Sequence, residues 1–331
     1  MYSWGGGTGG WKGGGSYDYG SARAGYDKIA KAAGSRKSYS AISSPDMGLV
    51  DPRGKTIESK SENPIIVGID VTGSMNVWPR EIFDRLPLLY QTLAKYRPDV
   101  EFCFSAIGDA TSDQYPLQVN DFGKAADLEK KLQALYPEGG GGGQIKESYE
   151  LFGHFISEHC QTPNAKSPFL IIYGDEAFYD TIQRNQVKHF IGDDIAKTVD
   201  SKEMWQKLMQ RFNVYFLQKP YGGGENDGTT GEVGRIWKGA LGDQRVIPME
   251  YEIKKEDGSM MPGYERAVDI AMGLIAKSWG EYGDFKDSLD ARHDDKSVKK
   301  SVHTSLRHIP DKLATASVTG SKKTKLSKPF V

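Results

Sequence analysis

The sequence predicts an α/β protein: a doubly wound, mostly parallel six-stranded sheet with helices on both faces, plus flexible N- and C-terminal extensions. Short runs of β-branched and aromatic residues are typical of strands that are buried on both faces. Helical patterns of ten or more residues separate these runs, which implies βαβ units and parallel strands. The predicted strands are Ile65–Ile69 at the centre, Val100–Ile107, Leu117–Phe122, Pro168–Tyr173, Val214–Leu217 and Arg245–Met249.

Apolar residues at helical spacing predict the helices between these strands. In the first helix, Pro79 fits the first turn, whereas Pro87 predicts a kink or a restart. The predicted helical segments are Ile82–Leu93, Ala126–Tyr136, a segment from Gln144, Ile182–Ile191, Lys202–Phe212, Val233–Leu241 and Pro262–Trp279.

Composition indicates a soluble protein in a reducing compartment. The 331 residues are 38% hydrophobic and 26% charged, with a net charge of −1, which gives no whole-molecule attraction to nucleic acid or to an anionic membrane. The cysteines, Cys103 and Cys160, are too few for a disulfide framework. We see no secretory signal and no apolar run near the ~20 residues of a membrane span, and we therefore expect a cytoplasmic protein.

Both ends differ in composition from the middle of the chain. Residues 1–62 form a head rich in glycine and aromatic residues and a linker, for which we expect disorder. Residues 63–280 form the predicted domain, and residues 281–331 form a charged, lysine-rich tail. This tail is either a solvated segment or a segment that contacts nucleic acid or an acidic partner. We do not expect the rest of the protein to bind nucleic acid.

The chain is organised around Pro64–Met75, which reads P-I-I-V-G-I-D-V-T-G-S-M. Asp70, Thr72 and Ser74 follow the apolar strand at alternate positions, and Gly73 allows the chain to turn. One carboxylate and two hydroxyls that converge in such a turn suit a hard cation such as Mg²⁺. The alternative is a helix N-cap, in which a hydroxyl caps the helix without any metal.

The D-V-T-G-S-M loop resembles the D-x-[ST]-x-S loop of von Willebrand factor A (vWA) domains, over about Asn63 to Gly280. The resemblance is to the intracellular type found in bacteria and phages. It implies a vWA fold and a metal-ion-dependent adhesion site (MIDAS), in which a divalent cation binds a partner's carboxylate. The cofactor it implies is Mg²⁺ or Mn²⁺.

Two other positions of the family pattern are altered in this sequence. A glycine, Gly143, lies where the resemblance implies a threonine after the glycine-rich turn, and the usual T-D-G is replaced by Tyr173-Gly174-Asp175. Fewer protein ligands predict a weak site with more bound water. Together with Asp109, which also ends a strand, the predicted metal ligands are Asp70, Thr72, Ser74, Asp175 and Asp109.

These features favour a protein-binding module rather than an enzyme, and no catalytic residues are predicted. The resemblance implies an adaptor that works with a MoxR-type AAA+ ATPase or its client. One alternative is a metal-dependent hydrolase on the same loop, with Glu176 as general base. Another alternative is a scaffold that acts through its tails and has a degenerate metal site.

Overall fold

The computed structural model of the protein describes residues 44–125, 127–141, 143, 145–221 and 226–311. The predictions for the head before residue 44 and for the tail after residue 311 lie outside the described residues. Within the described part, no helix is both long enough and apolar enough to cross a membrane.

A six-stranded sheet forms the centre of the fold. Its strands are β2 (Pro64–Asp70), β3 (Glu101–Ile107), β4 (Leu117–Val119), β7 (Phe169–Gly174), β11 (Asn213–Gln218) and β12 (Val246–Pro248). The strand order is β12-β11-β7-β2-β3-β4, and all neighbouring strands are parallel except β4, which runs antiparallel to β3 at the edge. The predicted fold class is therefore confirmed.

Short strand pairs lie outside the main sheet. They pair β1 with β6, β5 with β8, β9 with β10, and β13 with β14. Their bounds are β1 (Ile57–Glu58), β5 (Lys146–Glu147), β6 (Cys160–Gln161), β8 (Ala177–Phe178), β9 (Thr181–Ile182), β10 (Val199–Asp200), β13 (Glu252–Lys254) and β14 (Met260–Pro262).

Helices cover both faces of the sheet. Their bounds are α1 (Met47–Val50), α2 (Trp78–Tyr96), α3 (Asp127–Ala134), α4 (Tyr149–His159), α5 (Arg184–Gln186, continued by a π-helical turn at Val187–Ile191), α6 (Ser201–Met209), α7 (Gly228–Leu241), α8 (Tyr264–Trp279), α9 (Tyr282–Arg292) and α10 (Lys296–Ser305). Helices α2, α3, α8, α9 and α10 pack on one face, and α4, α6 and α7 pack on the other.

The central strand β2 is buried along its whole length because it lies between β3 and β7. Its side chains alternate between the two cores: Ile65 and Val67 join one hydrophobic cluster, and Ile66 joins the other. Gly68 has no side chain because a Cβ there would lie 2.7 Å from Cε1 of Phe152. This close packing fixes α4 directly over the strand that ends in Asp70.

The structure decides two predictions about helices. Of the two alternatives at Pro87, the restart is not seen, because helix α2 continues through this residue. A long apolar stripe packed against α8 outweighs the backbone hydrogen bond that proline cannot donate. The helix predicted from Gln144 begins at Tyr149, because Lys146–Glu147 instead pairs with Ala177–Phe178 as a short parallel strand.

The packed structure extends beyond residues 63–280 at both ends. Before it, Ile57 is buried and its strand pairs with Cys160–Gln161. After it, Phe285, Leu289 and Val302 are buried in the core that also contains α8. The charged composition after residue 280 hides these apolar positions, which recur at helical spacing on α9 and α10.

Candidate metal centre

The predicted metal loop lies at the point where the strand order of the sheet reverses. Strands β2 and β7 are neighbours, and their chains continue outward in opposite directions along the sheet. Asp70 ends β2, and Asp175 follows the last residue of β7. In open α/β sheets, ligands bind in the crevice beyond the carboxyl ends of the strands at this reversal. The topology alone therefore places the candidate site here.

A chain of hydrogen bonds connects four of the five predicted ligands. Oδ1 of Asp70 accepts from the backbone N–H of Thr72 at 2.8 Å and from the Thr72 hydroxyl at 2.6 Å. The Ser74 hydroxyl donates to Oδ1 of Asp175 at 2.9 Å. The two hydroxyl oxygens lie 3.3 Å apart. A short 3₁₀ turn, Gly73–Met75, holds Ser74 in this position.

The two hydroxyl oxygens are arranged as neutral ligands. The Thr72 hydroxyl donates to Asp70 and the Ser74 hydroxyl donates to Asp175, and the two hydroxyl oxygens lie 3.3 Å apart. Adjacent oxygen ligands of an octahedral Mg²⁺ lie about 3 Å apart, since each Mg–O distance is about 2.1 Å. The donor set therefore fits a hard divalent cation. The alternative of an N-cap is not seen, because neither side chain accepts a hydrogen bond from a helix N-terminus.

Asp175 is paired with a lysine that the sequence analysis did not single out. Nζ of Lys219 lies 2.6 Å from Oδ2 of Asp175 and 3.0 Å from the carbonyl oxygen of Ser74. Both side chains of this ion pair are buried. Burial raises the pKa of Asp175, while the Lys219 ammonium and the Ser74 hydroxyl act to lower it. Lys219 follows the last residue of β11, so the sheet topology brings it to the site.

Asp70 is held from its other side by Tyr149, the first residue of α4, whose hydroxyl donates to Oδ2. The exchanged order Gly174-Asp175 permits this bond: a Cβ at position 174 would overlap the Tyr149 hydroxyl and lie 2.8 Å from Cζ. Burial and the charge of Asp175 raise the pKa of Asp70 to about 8. A nearby divalent cation would favour the ionised form.

Asp109, the fifth predicted ligand, hydrogen-bonds to a different set of groups. Its carboxylate accepts from Thr111 Oγ1 at 2.5 Å, from the Tyr179 hydroxyl at 3.2 Å and from Ser148 Oγ at 3.5 Å. It has no hydrogen bond to the Thr72–Ser74 loop among the bonds of the described residues. The side chain is buried, and its contacts fix the loop after β3 to the start of α4.

The glycine-rich turn closes over the metal loop through its backbone. The N–H of Gly139 donates to Val71 O at 2.9 Å, and the carbonyl of Gly140 accepts from Gly73 N at 2.6 Å. Gly139, Gly141 and Gly143 all have positive φ, which other residues rarely adopt. As the sequence implied, the described part of this turn brings no hydroxyl to the site.

A carboxylate that the sequence analysis missed, Glu147, lies beside the loop. Its Oε1 and the Cβ of Thr72 both lie within 4 Å of the point where a Cβ on Gly141 would be. Strand pairing of Lys146–Glu147 with Ala177–Phe178 also brings Glu147 next to Glu176. The available signal was its position between the glycine-rich turn and the next helix. The helix predicted from Gln144 includes this segment, so Glu147 is not among the predicted ligands.

Burial raises the pKa values of both glutamates. The pKa of Glu147 rises to about 12, with further contributions from the charge of Asp70 and from Glu176. The pKa of Glu176 rises to about 7, while its hydrogen bonds with Glu147 and with the Ser74 hydroxyl act to lower it. Oε2 of each glutamate is buried without a hydrogen-bond partner among the described residues. Both glutamates lie beside the loop that contains Thr72 and Ser74.

Acidic side chains alone do not account for this candidate site. Within the described ranges, no group of three or more His, Cys, Asp or Glu side chains is arranged to hold a metal ion. The candidate set instead combines carboxylates with the two hydroxyls of Thr72 and Ser74, and it depends on both.

Comparisons with known proteins find similarity in solved structures only. No protein-family model matches the chain. No curated protein matches it either. Proximal thread matrix protein 1 from the mussel byssus has a TM-score of 0.41 at 12% identity, covering 66% of this chain and 48% of that one. The pilus adhesin SpaC of Lactobacillus rhamnosus GG has a TM-score of 0.43 at 13% identity, covering 71% of this chain and 32% of that one.

A third similar structure is an isolated vWA domain. The SpRpn10 VWA domain has a TM-score of 0.34 at 12% identity, covering 63% of this chain and 94% of that one. This chain spans less than half the length of the first two proteins. Similarity at these scores does not assign the chain to a family.

Proposed function

We propose that this protein is a binding module, not an enzyme, in which a divalent cation held by the Asp70–Ser74 loop binds a carboxylate of another protein. The observation that carries the proposal is the pair of Thr72 and Ser74 oxygens, 3.3 Å apart, whose protons are both given to carboxylates. Two oxygens at this separation can both be ligands of one cation, because adjacent ligands of an octahedral Mg²⁺ lie about 3 Å apart. Mg²⁺ and Mn²⁺ suit such oxygen ligands.

The location of the loop supports a role in binding a partner. It lies at the rim of the sheet, at the reversal of strand order, and within it Gly73 is exposed and Ser74 is half-buried. When bound, the cation would supply a positive charge and an open position for an oxygen of the partner. The residues of this chain would orient the hydroxyls: Asp70 orients Thr72, and Asp175 orients Ser74.

The sequence resemblance favours a MoxR-type AAA+ ATPase or its client, with this protein as an adaptor in the cytoplasm. Free, buried cysteines fit a reducing compartment: Cys103 and Cys160 form no disulfide. Burial raises the pKa of the Cys103 thiol to about 12, so it stays protonated and unreactive.

Calorimetric titration of the full-length protein with Mn²⁺ or Mg²⁺ tests the cation. We expect Asp70→Ala to abolish binding, because it removes a charge and releases the Thr72 hydroxyl. Ser74→Ala should weaken binding about tenfold by removing one oxygen ligand. Asp175→Ala should weaken it less, because that carboxylate is already paired with Lys219.

Ser112→Ala is the matched control, since Ser112 is exposed and its hydroxyl contacts Asp113 rather than the metal loop. This variant should bind the cation as the wild type does. To test for a partner, the full-length protein is used as bait in a lysate. A protein that it retains should be bound only when Mg²⁺ is present, and should be lost when a chelator is added or when the bait is Asp70→Ala. No heat of binding by the wild type at millimolar Mn²⁺ would contradict the proposal.

A further inference from the structure

Lys219 changes which acids are available to a cation at the Asp70–Ser74 loop. Its ammonium neutralises Asp175 at 2.6 Å, inside the protein, and also bonds the Ser74 carbonyl. A cation bound by Asp175 would have to displace this buried ammonium or lie beside it, and like charges repel strongly where water is excluded. Asp175 is therefore a poor direct ligand.

Glu147 and Glu176 have the opposite properties. Both side chains are at least 97% buried, at 2% and 3% exposure, and neither forms an ion pair within the described residues. Each has one carboxylate oxygen, Oε2, with no hydrogen-bond partner in the part of the chain that the structure describes. Buried carboxylates without partners are costly, and such groups are normally paired or coordinate a metal. Two of them side by side need a cation more than one does.

Several contacts place these glutamates against the hydroxyl ligands. The two glutamates hydrogen-bond to each other, and Glu176 also contacts the Ser74 hydroxyl. Oε1 of Glu147 and Cβ of Thr72 both lie beside Gly141, at 3.0 and 3.6 Å from the point where a Cβ would be, and this glycine has φ of +126° and no side chain to separate them. The short pairing of β5 with β8 fixes both backbones at this point.

We infer that Glu147 and Glu176, with Thr72 and Ser74, hold the divalent cation, while Lys219 keeps Asp175 out of the ligand set. This inference rests on the proposed function and assigns the acidic ligands of the same site. Glu147 thereby supplies the oxygen that the glycine-rich turn lacks at Gly143. Two carboxylates also balance the charge of the cation within the protein, which predicts tighter binding than the loop alone would give.

Calorimetric titration of the full-length protein with Mn²⁺ alone tests this ligand set. We expect Glu147→Gln and Glu176→Gln each to lower the affinity at least tenfold. Asp175→Asn should change it by less than threefold. Glu150→Gln is the matched control, because Glu150 is also buried and has one unpartnered oxygen, but its other oxygen accepts from Tyr179 N rather than facing the metal loop.

The variants Glu147→Asp and Glu176→Asp provide a second measurement if a glutamine variant does not fold. They keep the charge but withdraw the carboxylate by one methylene, and we expect intermediate affinity. If the wild type binds Mn²⁺ and either glutamine variant binds it with an affinity within threefold of the wild type, the inference is overturned and the proposed function remains intact. A tenfold loss in Asp175→Asn would also overturn it. No binding by the wild type would overturn both.

Discussion

Replacing Lys219 by methionine is the most informative single change, because it alters stability and cation binding in opposite directions. Methionine keeps much of the aliphatic stem and removes the ammonium. Asp175 would then be a buried carboxylate whose remaining hydrogen-bond donor, among the described residues, is the Ser74 hydroxyl. We expect the protein to be less stable without a cation and to bind a cation more tightly.

The distance in the ion pair sets the size of the effect. Nζ and Oδ2 are 2.6 Å apart, and at an effective dielectric constant of about 20 two unit charges at that distance attract by about 6 kcal/mol. Part of this lost attraction is offset in Lys219→Met, because folding of the variant no longer removes an ammonium group from water. Breaking one partner of a buried pair typically costs about 3–5 kcal/mol. We expect the free energy of unfolding to fall by this amount.

Urea denaturation in the presence of a chelator measures the loss, and a double-mutant cycle isolates the pair. Lys219→Met, Asp175→Asn and the double variant are compared with the wild type. The double variant should be more stable than Lys219→Met, because no unpaired charge remains. Titration with Mn²⁺ should show higher affinity in Lys219→Met, and Asp175→Asn should now reduce that affinity. A loss of stability below about 1 kcal/mol, or additive single effects, would refute the reasoning.

Three further outcomes are expected. Burial raises the pKa of Glu150 from 4.5 to about 8, so its contribution to stability is complete below pH 4.5, and between these values it lowers the unfolding free energy by about 1.4 kcal/mol per pH unit. In urea titrations at several pH values, Glu150→Gln should reduce the slope by this amount, and the raised pKa values of Asp70, Glu147 and Glu176 leave a remaining slope of the same sign. Gly174→Ala should lower the unfolding free energy by about 1–3 kcal/mol, because the new Cβ displaces the Tyr149 hydroxyl, whereas unchanged stability would mean that Tyr149 moves freely. Truncation after Gly280 should prevent cooperative thermal unfolding, since it removes the core residue Phe285.

The sequence by itself determined the sheet and the place of the metal loop. Apolar runs such as Ile65–Ile69 are buried on both faces only in the middle of a sheet. Helical patterns between successive runs imply helical crossovers, which connect parallel strands. Asp70, Thr72 and Ser74 follow such a run at alternate positions, so their convergence is a local property of the turn. For the same reason, the position of Asp175 after the next central strand was also predictable.

Helix boundaries and the domain limits were less accessible from sequence. Pro87 predicted a kink or a restart, and α2 continues without a restart because its stripe packs on α8. The charged composition after Gly280 argued for a tail, yet Phe285 and Leu289 complete the core. In each case a local preference of about a few kcal/mol competed with the burial of apolar surface, and burial depends on neighbours that are distant in the chain.

Only the tertiary structure decided the charges around the site. Lys219 is 44 residues from Asp175 along the chain, and Tyr149 is 79 residues from Asp70. No local pattern marks a lysine or tyrosine of this kind, because each reaches the site from a separate element of the sheet. The same holds for Glu147, which pairing with β8 brings to Glu176. Electrostatic interactions depend on distance in space and on the exclusion of water, and both are set by packing.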